Sequence, residues 1–189
     1  MMRIITGKAK GIRLKTLEGD ATRPTSERVK EAVFSMMQGD IEDREVLDLF
    51  SGSGQMALEA LSRGAAHAVL VDTSPQAIKI ITENAEKTRL NGLCDIRKEE
   101  YLSYIRRNAG KKFDIVFLDP PYASGFYLPD LKALKECNML KPSTLIVCES
   151  GTEDIFGDDE LISQFEVVKQ SRYSRTFITI LSLAGGDQQ

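Results

Sequence analysis

The sequence predicts an α/β domain built on a doubly wound, mostly parallel sheet with one reversed strand at its end. Three observations lead there. Short apolar runs such as VLVD and IVFL are continuous rather than alternating, as strands covered on both faces are. From residue 46 onward such runs alternate with segments of helical period, separated by glycine or turn residues, which is the rhythm of βαβ units. The end of the chain departs from it: Phe165 to Gln170 and Thr176 to Leu183 are joined only by a short polar turn, the pattern of an antiparallel hairpin.

Taken in order, Arg3 to Thr6 and Ile12 to Leu17 are β-prone runs separated by Gly7 and Gly11, and predict a small N-terminal hairpin. Thr25 and Ser26 are N-cap candidates for a helix whose apolar positions Val29, Ala32, Val33, Met36 and Met37 fall at helical spacing. A strand over Val46 to Phe50, a helix from about Gln55 to Arg63 stopped by Gly64, and a strand over Ala68 to Asp72 form the first βαβ unit. Ser74 as N-cap and Pro75 at the first helical position open a helix with Ile78, Ile81 and Ala85 on one face, closed by Asn91-Gly92. Strands follow at Cys94 to Arg97, Asp114 to Leu118 and Thr144 to Glu149, with helices near 100 to 108 and 128 to 138.

The 189 residues are one domain's worth, 42% hydrophobic and 28% charged, which excludes disordered, collagenous and coiled-coil classes. The expected organisation is a single domain over 1–189, with 1–40 as a basic extension of hairpin and helix packed on a core over 41–184. No apolar run approaches the roughly 18 to 20 residues that span a bilayer, and the start MMRIITGKAKG lacks the apolar core and cleavage site of a signal peptide. A cytoplasmic protein with no membrane partner is expected. Cys94, Cys137 and Cys148 lie far apart and read as buried thiols; with the single His67, taken as a loop residue, they leave no zinc or disulfide framework to expect. The net charge of −3 conceals an asymmetry: residues 1 to 30 hold eight Lys or Arg against three acids, so the other 159 residues sum to −8. A basic arm on an acidic body suggests a local anionic contact, with a solvated charged face as the alternative.

Two loops carry chemistry. Asp48-Leu49-Phe50-Ser51-Gly52-Ser53-Gly54 lies between a predicted strand and a predicted helix, where an open α/β sheet binds its ligand. Asp72 ends the next strand, where a carboxylate accepts both hydroxyls of a ribose. Together they describe an adenosine site. Gly52, Gly54 and Ala57 also fit a loose dinucleotide pattern, so the loop alone does not separate NAD from S-adenosylmethionine. Asp48 shifts the balance, since it would repel a pyrophosphate but pair with the ammonium group of a methionine moiety. The second loop is Asp119-Pro120-Pro121-Tyr122. Its two prolines lock the chain and remove two amide donors, leaving carbonyls and a carboxylate as acceptors for an exocyclic NH2. Gripping those hydrogens would free the nitrogen lone pair to attack a methyl carbon, and Tyr122 could stack on the base.

The combination DLFSGSG, VD at Asp72 and DPPY at Asp119 resembles the class I S-adenosylmethionine-dependent amino-methyltransferases. More narrowly, RIITGKAKGIRL, TRPTSERVKEAVF (Thr22 to Phe34) and LEALSRGA resemble the bacterial RsmD family, which methylates N2 of one guanine in 16S ribosomal RNA. The likeness runs over nearly the whole chain. It implies a Rossmann-like class I methyltransferase sheet and S-adenosylmethionine as cofactor. It also implies that Asp48, Gly52 and Gly54 contact the methionine part, Asp72 the ribose and Glu100, favoured over Glu99, the adenine, with Ser51 also among the cofactor-binding residues. By the same resemblance Asp119, Pro120, Pro121 and Tyr122 hold the guanine amino group, while Arg23, Thr25 and Arg28 lie near cofactor or RNA. The implied partner is 16S rRNA in the small subunit or an assembly intermediate, met by a monomer without a metal. The family's Tyr-Gly-x-Thr reads here as Tyr173-Ser174-Arg175-Thr176. The rival readings are an amino-methyltransferase for adenine N6 or glutamine, a non-catalytic ribosome-assembly factor, and a dinucleotide oxidoreductase.

Overall fold

The computed structural model describes residues 2–17, 27–120, 127–156, 160–174 and 176–185. Among the described residues seven strands form one sheet in the order β3-β2-β1-β4-β5-β7-β6. They are β1 (Glu45–Asp48), β2 (His67–Asp72), β3 (Cys94–Lys98), β4 (Phe113–Leu118), β5 (Leu140–Ser150), β6 (Phe165–Tyr173) and β7 (Thr176–Leu183). The first five run parallel, and β7 is antiparallel to both β5 and β6. The one reversed strand is thus inserted between β5 and β6 rather than at the sheet's edge, because the tight turn after β6 returns the chain into the gap beside β5.

Strand alternation sends neighbouring side chains into two separate cores. Val46, Ala68, Leu70, Ile115, Phe117 and Val147 enter one, and Leu47, Val69, Val71, Val116, Leu118 and Ile146 the other. The first is covered by α1 (Glu27–Met36), α2 (Gln55–Ser62) and α3 (Pro75–Thr88), the second by α4 (Tyr101–Arg107) and α5 (Tyr127–Glu136). Strands buried on both faces account for the continuous apolar runs of the sequence. In α3 the Ser74 hydroxyl accepts the Ala77 amide at 3.3 Å, with Pro75 at the first helical position, as the sequence predicts. The N-cap candidates Thr25 and Ser26 of α1 lie outside the described residues.

The N-terminal hairpin closes through an antiparallel bridge between Arg3 and Arg13 and docks on α2 and α3. The Ile5 and Thr6 amides donate to the Glu59 carboxylate at 2.7 and 3.0 Å. That carboxylate is fully buried and also faces Lys30 Nζ at 3.3 Å and Arg63 Nε at 2.9 Å. Lys30 is itself fully buried on α1 and donates to the Arg3 carbonyl at 2.5 Å. Helical period alone assigns the α1 core to apolar residues. Here a lysine enters it because a buried acid from α2 and a hairpin carbonyl meet it. Phe34 lies against Phe117 with ring centroids 6.0 Å apart, fixing α1 over the centre of the sheet.

Two smaller expectations change. His67 begins β2 rather than sitting in a loop, with Nδ1 3.5 Å from a Glu45 carboxylate oxygen, because it stands opposite Glu45 in the strand register. Of the three thiols only Cys148 is buried; Cys94 and Cys137, at element ends, are half-buried. Ser174 takes the left-handed backbone, with φ 60° in the turn between β6 and β7. Among the described residues no helix is long and apolar enough to cross a membrane.

Candidate active site

The order of the strands reverses direction between β1 and β4, and an open α/β sheet binds ligands outside the carboxyl ends of its strands at such a point. Asp48 ends β1 there, and Asp119 follows directly on β4. The register makes the neighbourhood definite. Asp48 stands opposite both Leu70 and Phe117, and Leu118 stands opposite Cys148. Two residues on from Leu70 is Asp72, two on from Phe117 is Asp119, and Asp119 lies across from Glu149. By the alternation of strand side chains, all four acids project to the face that α1 covers, in the sheet order Asp72, Asp48, Asp119, Glu149.

The loop after β1 turns on two glycines with positive φ, Gly52 at 53° and Gly54 at 77°. A methyl group on Gly54 would meet a Leu70 methyl at 3.2 Å and Ile81 at 3.4 Å, so the loop closes tightly on the second βαβ strand and helix there. Around Gly52 nothing lies within 4 Å of that position, so its backbone borders open space for a ligand. Asp72 secures the loop: one carboxylate oxygen accepts the Gly52 amide at 2.9 Å and the other the Ser74 amide at 2.8 Å. Each oxygen retains a further lone pair for a ligand hydroxyl. The Ser51 hydroxyl donates to the Asp48 carbonyl at 2.9 Å.

Asp48 is buried, and burial pushes its carboxyl up to about 7, with the charge of Asp72 adding to the rise and hydrogen bonds from Phe50, Ser51 and Ala57 opposing it. Asp119 retains access to solvent, yet the walls around it displace enough water to raise its carboxyl well above the usual range; Glu149 and Asp48 raise it further by charge repulsion. Pro120 is buried behind it. Carboxylates crowded in this way make a site that accepts hydrogen bonds and favours positive charge.

Ser51, Gly52, Gly54, Asp48, Asp72, Asp119 and Pro120 are therefore brought to one edge of the sheet. Glu100 belongs to the next segment along that edge. It is exposed and caps α4, accepting the Ser103 amide at 2.8 Å and the Ser103 hydroxyl at 3.1 Å, while Glu99 is held in an ion pair with Arg107. Arg28 is exposed on the first turn of α1. Pro121, Tyr122, Arg23 and Thr25 lie outside the described residues.

Sequence reasoning misses three groups that the fold brings in. Glu149 ends a predicted strand, and its place at the carboxyl end of that run is the available signal. Asn84, buried in α3, exchanges hydrogen bonds with the Lys15 backbone at 2.8 and 3.0 Å and donates to the Ser53 carbonyl at 2.9 Å, tying the N-terminal segment to the glycine loop. Asp130 in the first turn of α5 is fully buried, and neither of its oxygens has a hydrogen bond of sound geometry. The nearby Tyr101 side chain only partly offsets the desolvation that raises it to about 7. Tyr101 in turn packs on Phe50, with centroids 5.0 Å apart.

Residues 2–182 match the model of a family described as conserved hypothetical protein 95. A Bacillus subtilis protein, YlbH, is 32% identical over 97% of this chain and all of its own length. Ribosomal RNA small subunit methyltransferase D of Escherichia coli strain K12 is 32% identical over 81% of this chain and 76% of its own. The solved structure of Escherichia coli yhhF superposes with a TM-score of 0.82 at 26% identity, covering 96% of this chain and 97% of that one.

Proposed function

Given that the chain belongs to the family described as conserved hypothetical protein 95, the RsmD family, we propose that it transfers a methyl group from S-adenosylmethionine to the exocyclic N2 of a guanine in 16S rRNA. Its sheet is that of the class I methyltransferases. The observation that carries the reading is the meeting, at the point where the strand order reverses, of a buried Asp48 under a glycine loop with the Asp119-Pro120 turn one strand away.

The residues fit a cationic adenosine ligand. Asp48 is a desolvated carboxylate that gains from a nearby ammonium group, Gly52 leaves room for close approach, and Asp72 has lone pairs for ribose hydroxyls. When bound, S-adenosylmethionine supplies an electrophilic methyl group on a positively charged sulfur. The Asp119 carboxylate and the Pro120 carbonyl accept the two hydrogens of the base amino group. That contact favours a pyramidal nitrogen and aims its lone pair at the methyl carbon. The new N–C bond would form as the C–S bond electrons return to the sulfur, and Asp119 would take the surplus amine proton along its hydrogen bond. Positioning and electrostatics provide the rate, with no covalent enzyme intermediate and no step that needs a metal.

The target base must leave its stack to reach this edge of the sheet, which unpaired RNA makes less costly. The basic side chains of Arg23 and Arg28, in the N-terminal stretch of residues 1–40, would supply phosphate contacts to that RNA. The enzyme acts as a cytoplasmic monomer on the small subunit or an assembly intermediate. The test is transfer of labelled methyl from S-adenosylmethionine to small subunits from cells lacking the endogenous enzyme, followed by nucleoside analysis. N2-methylguanosine in 16S rRNA, absent with Asp119→Ala, is the expected result. Label in adenosine or protein, or none, overturns the reading.

A further inference from the structure

We propose that Glu149 is a specificity-determining residue that accepts the N1–H of the target guanine while Asp119 takes the adjacent N2 amino group. The inference rests on the guanine-N2 reading above.

The argument begins with the order of acids across the sheet. Asp72 and Asp48, on β2 and β1, stand on the side of the glycine loop. Glu149, on β5, stands on the opposite side of Asp119 from that loop. A ligand seated on the glycine loop lies on the near side of Asp119, and Glu149 stands on the far side, from which the acceptor base approaches. Asp119 and Glu149 come from adjacent parallel strands, about 4.8 Å apart in general, and project to the same face. They are close enough for the charge of Glu149 to act on Asp119.

Base chemistry selects what such a pair binds. The Watson–Crick edge of guanine offers two neighbouring donors, N1–H and the N2 amino group, whereas adenine sets its amino donor beside an N1 lone pair. The positive charge of a bound S-adenosylmethionine opposes the repulsion that raises Asp119, and two carboxylates held ionised in this way are acceptors only. They satisfy both guanine donors and set a negative charge against the adenine lone pair, so discrimination includes a repulsive element. The platform is rigid on both sides. The Tyr127 hydroxyl donates to the Glu149 carbonyl, and Glu149 is paired with Ile178 in the β5–β7 ladder. A side chain mounted within a sheet is positioned more accurately than one on a loop.

The test uses 2-aminopurine, which carries the same 2-amino group as guanine but has no hydrogen on N1. Small subunits are reconstituted with 16S rRNA bearing either base at the position that the wild-type protein methylates. Values of kcat/KM and the Kd for S-adenosylmethionine are measured for wild type and Glu149→Gln. Wild type is expected to prefer guanine by roughly ten- to a hundred-fold, the discrimination given by one good bidentate base contact. Glu149→Gln is expected to lose the preference, because its carboxamide accepts the N1–H of guanine through oxygen and donates to the bare N1 of 2-aminopurine through its NH2. Its Kd for S-adenosylmethionine stays unchanged. A preference for guanine kept by Glu149→Gln, equal loss on both bases, a weakened Kd, or a wild type indifferent to the two bases overturns the assignment while leaving guanine-N2 methylation standing. A wild type that methylates no guanine overturns that reading and this inference together.

Discussion

Replacing Asp48 by asparagine should make the ligand-free protein more stable at alkaline pH while weakening its cofactor site. Asp48 is buried at the carboxyl end of β1, and its carboxyl rises from the usual 3.8 to about 7, chiefly through desolvation. Because the folded pKa lies above the unfolded one, the native state holds a proton that the unfolded chain has already released. Stability is therefore full below about pH 4, declines between about pH 4 and 7, and carries the whole penalty above that window. At 1.36 kcal/mol per unit, the penalty is about 4 kcal/mol. An asparagine has nothing to ionise, so Asp48→Asn removes the penalty and leaves only small local changes in hydrogen bonding. Urea unfolding should show the variant more stable by up to about 4 kcal/mol near pH 8 and within about 1 kcal/mol of wild type near pH 4. The same titration governs binding. Wild-type affinity for S-adenosylmethionine should fall, by at most about tenfold per unit, as pH drops below about 7 and the carboxylate facing the ammonium group is protonated. The variant should bind weakly with little dependence on pH. A variant destabilised equally at both pH values would refute the account of Asp48 as a functional charge held at a cost to folding.

Two further outcomes follow from the buried polar contacts. Glu59→Ala removes the partner of a fully buried Lys30 and the acceptor of the Ile5 and Thr6 amides, so it should cost about 3–5 kcal/mol in urea unfolding and expose the N-terminal hairpin to protease. Lys30→Met should cost less, since Glu59 keeps Arg63 and both amides; a larger loss for Lys30→Met would count against Glu59 as the centre of that contact. Asn84→Ala strips hydrogen bonds from the Lys15 backbone and the Ser53 carbonyl, with an expected loss of about 2–4 kcal/mol. Because Ser53 belongs to the glycine loop, the Kd for S-adenosylmethionine should rise with it in equilibrium binding, and an unchanged Kd would separate Asn84 from the cofactor site.

Much of the architecture follows from local signals that survive folding unchanged. Ser74-Pro75 opens α3 because both residues act through their own turn, and VLVD and IVFL become central strands because nothing polar interrupts them. The glycine loop and the start of the Asp119 loop were legible for a related reason. A strand-to-helix turn with positive φ and a proline-locked acid are properties of contiguous residues. What escaped the sequence were the pairings between distant segments. Lys30 lies on a helix face whose spacing alone would call for an apolar residue, and only the arrival of Glu59 and the Arg3 carbonyl makes its burial tolerable.

The sequence by itself determined the succession of strands and helices, the sites of the two functional loops and the kinds of groups they carry. The tertiary structure decided which strand lies beside which, and with it the site. Adjacency of β1, β4 and β5 places Asp48, Asp119 and Glu149 on one face, and insertion of β7 between β5 and β6 pins the strand that carries Glu149. Those neighbours are as much as 101 residues apart in the chain, from Asp48 to Glu149. Local propensity acts over a few residues, whereas the field that shifts a carboxyl pKa depends on distance in space, so the charge state of the site is settled only when the sheet assembles.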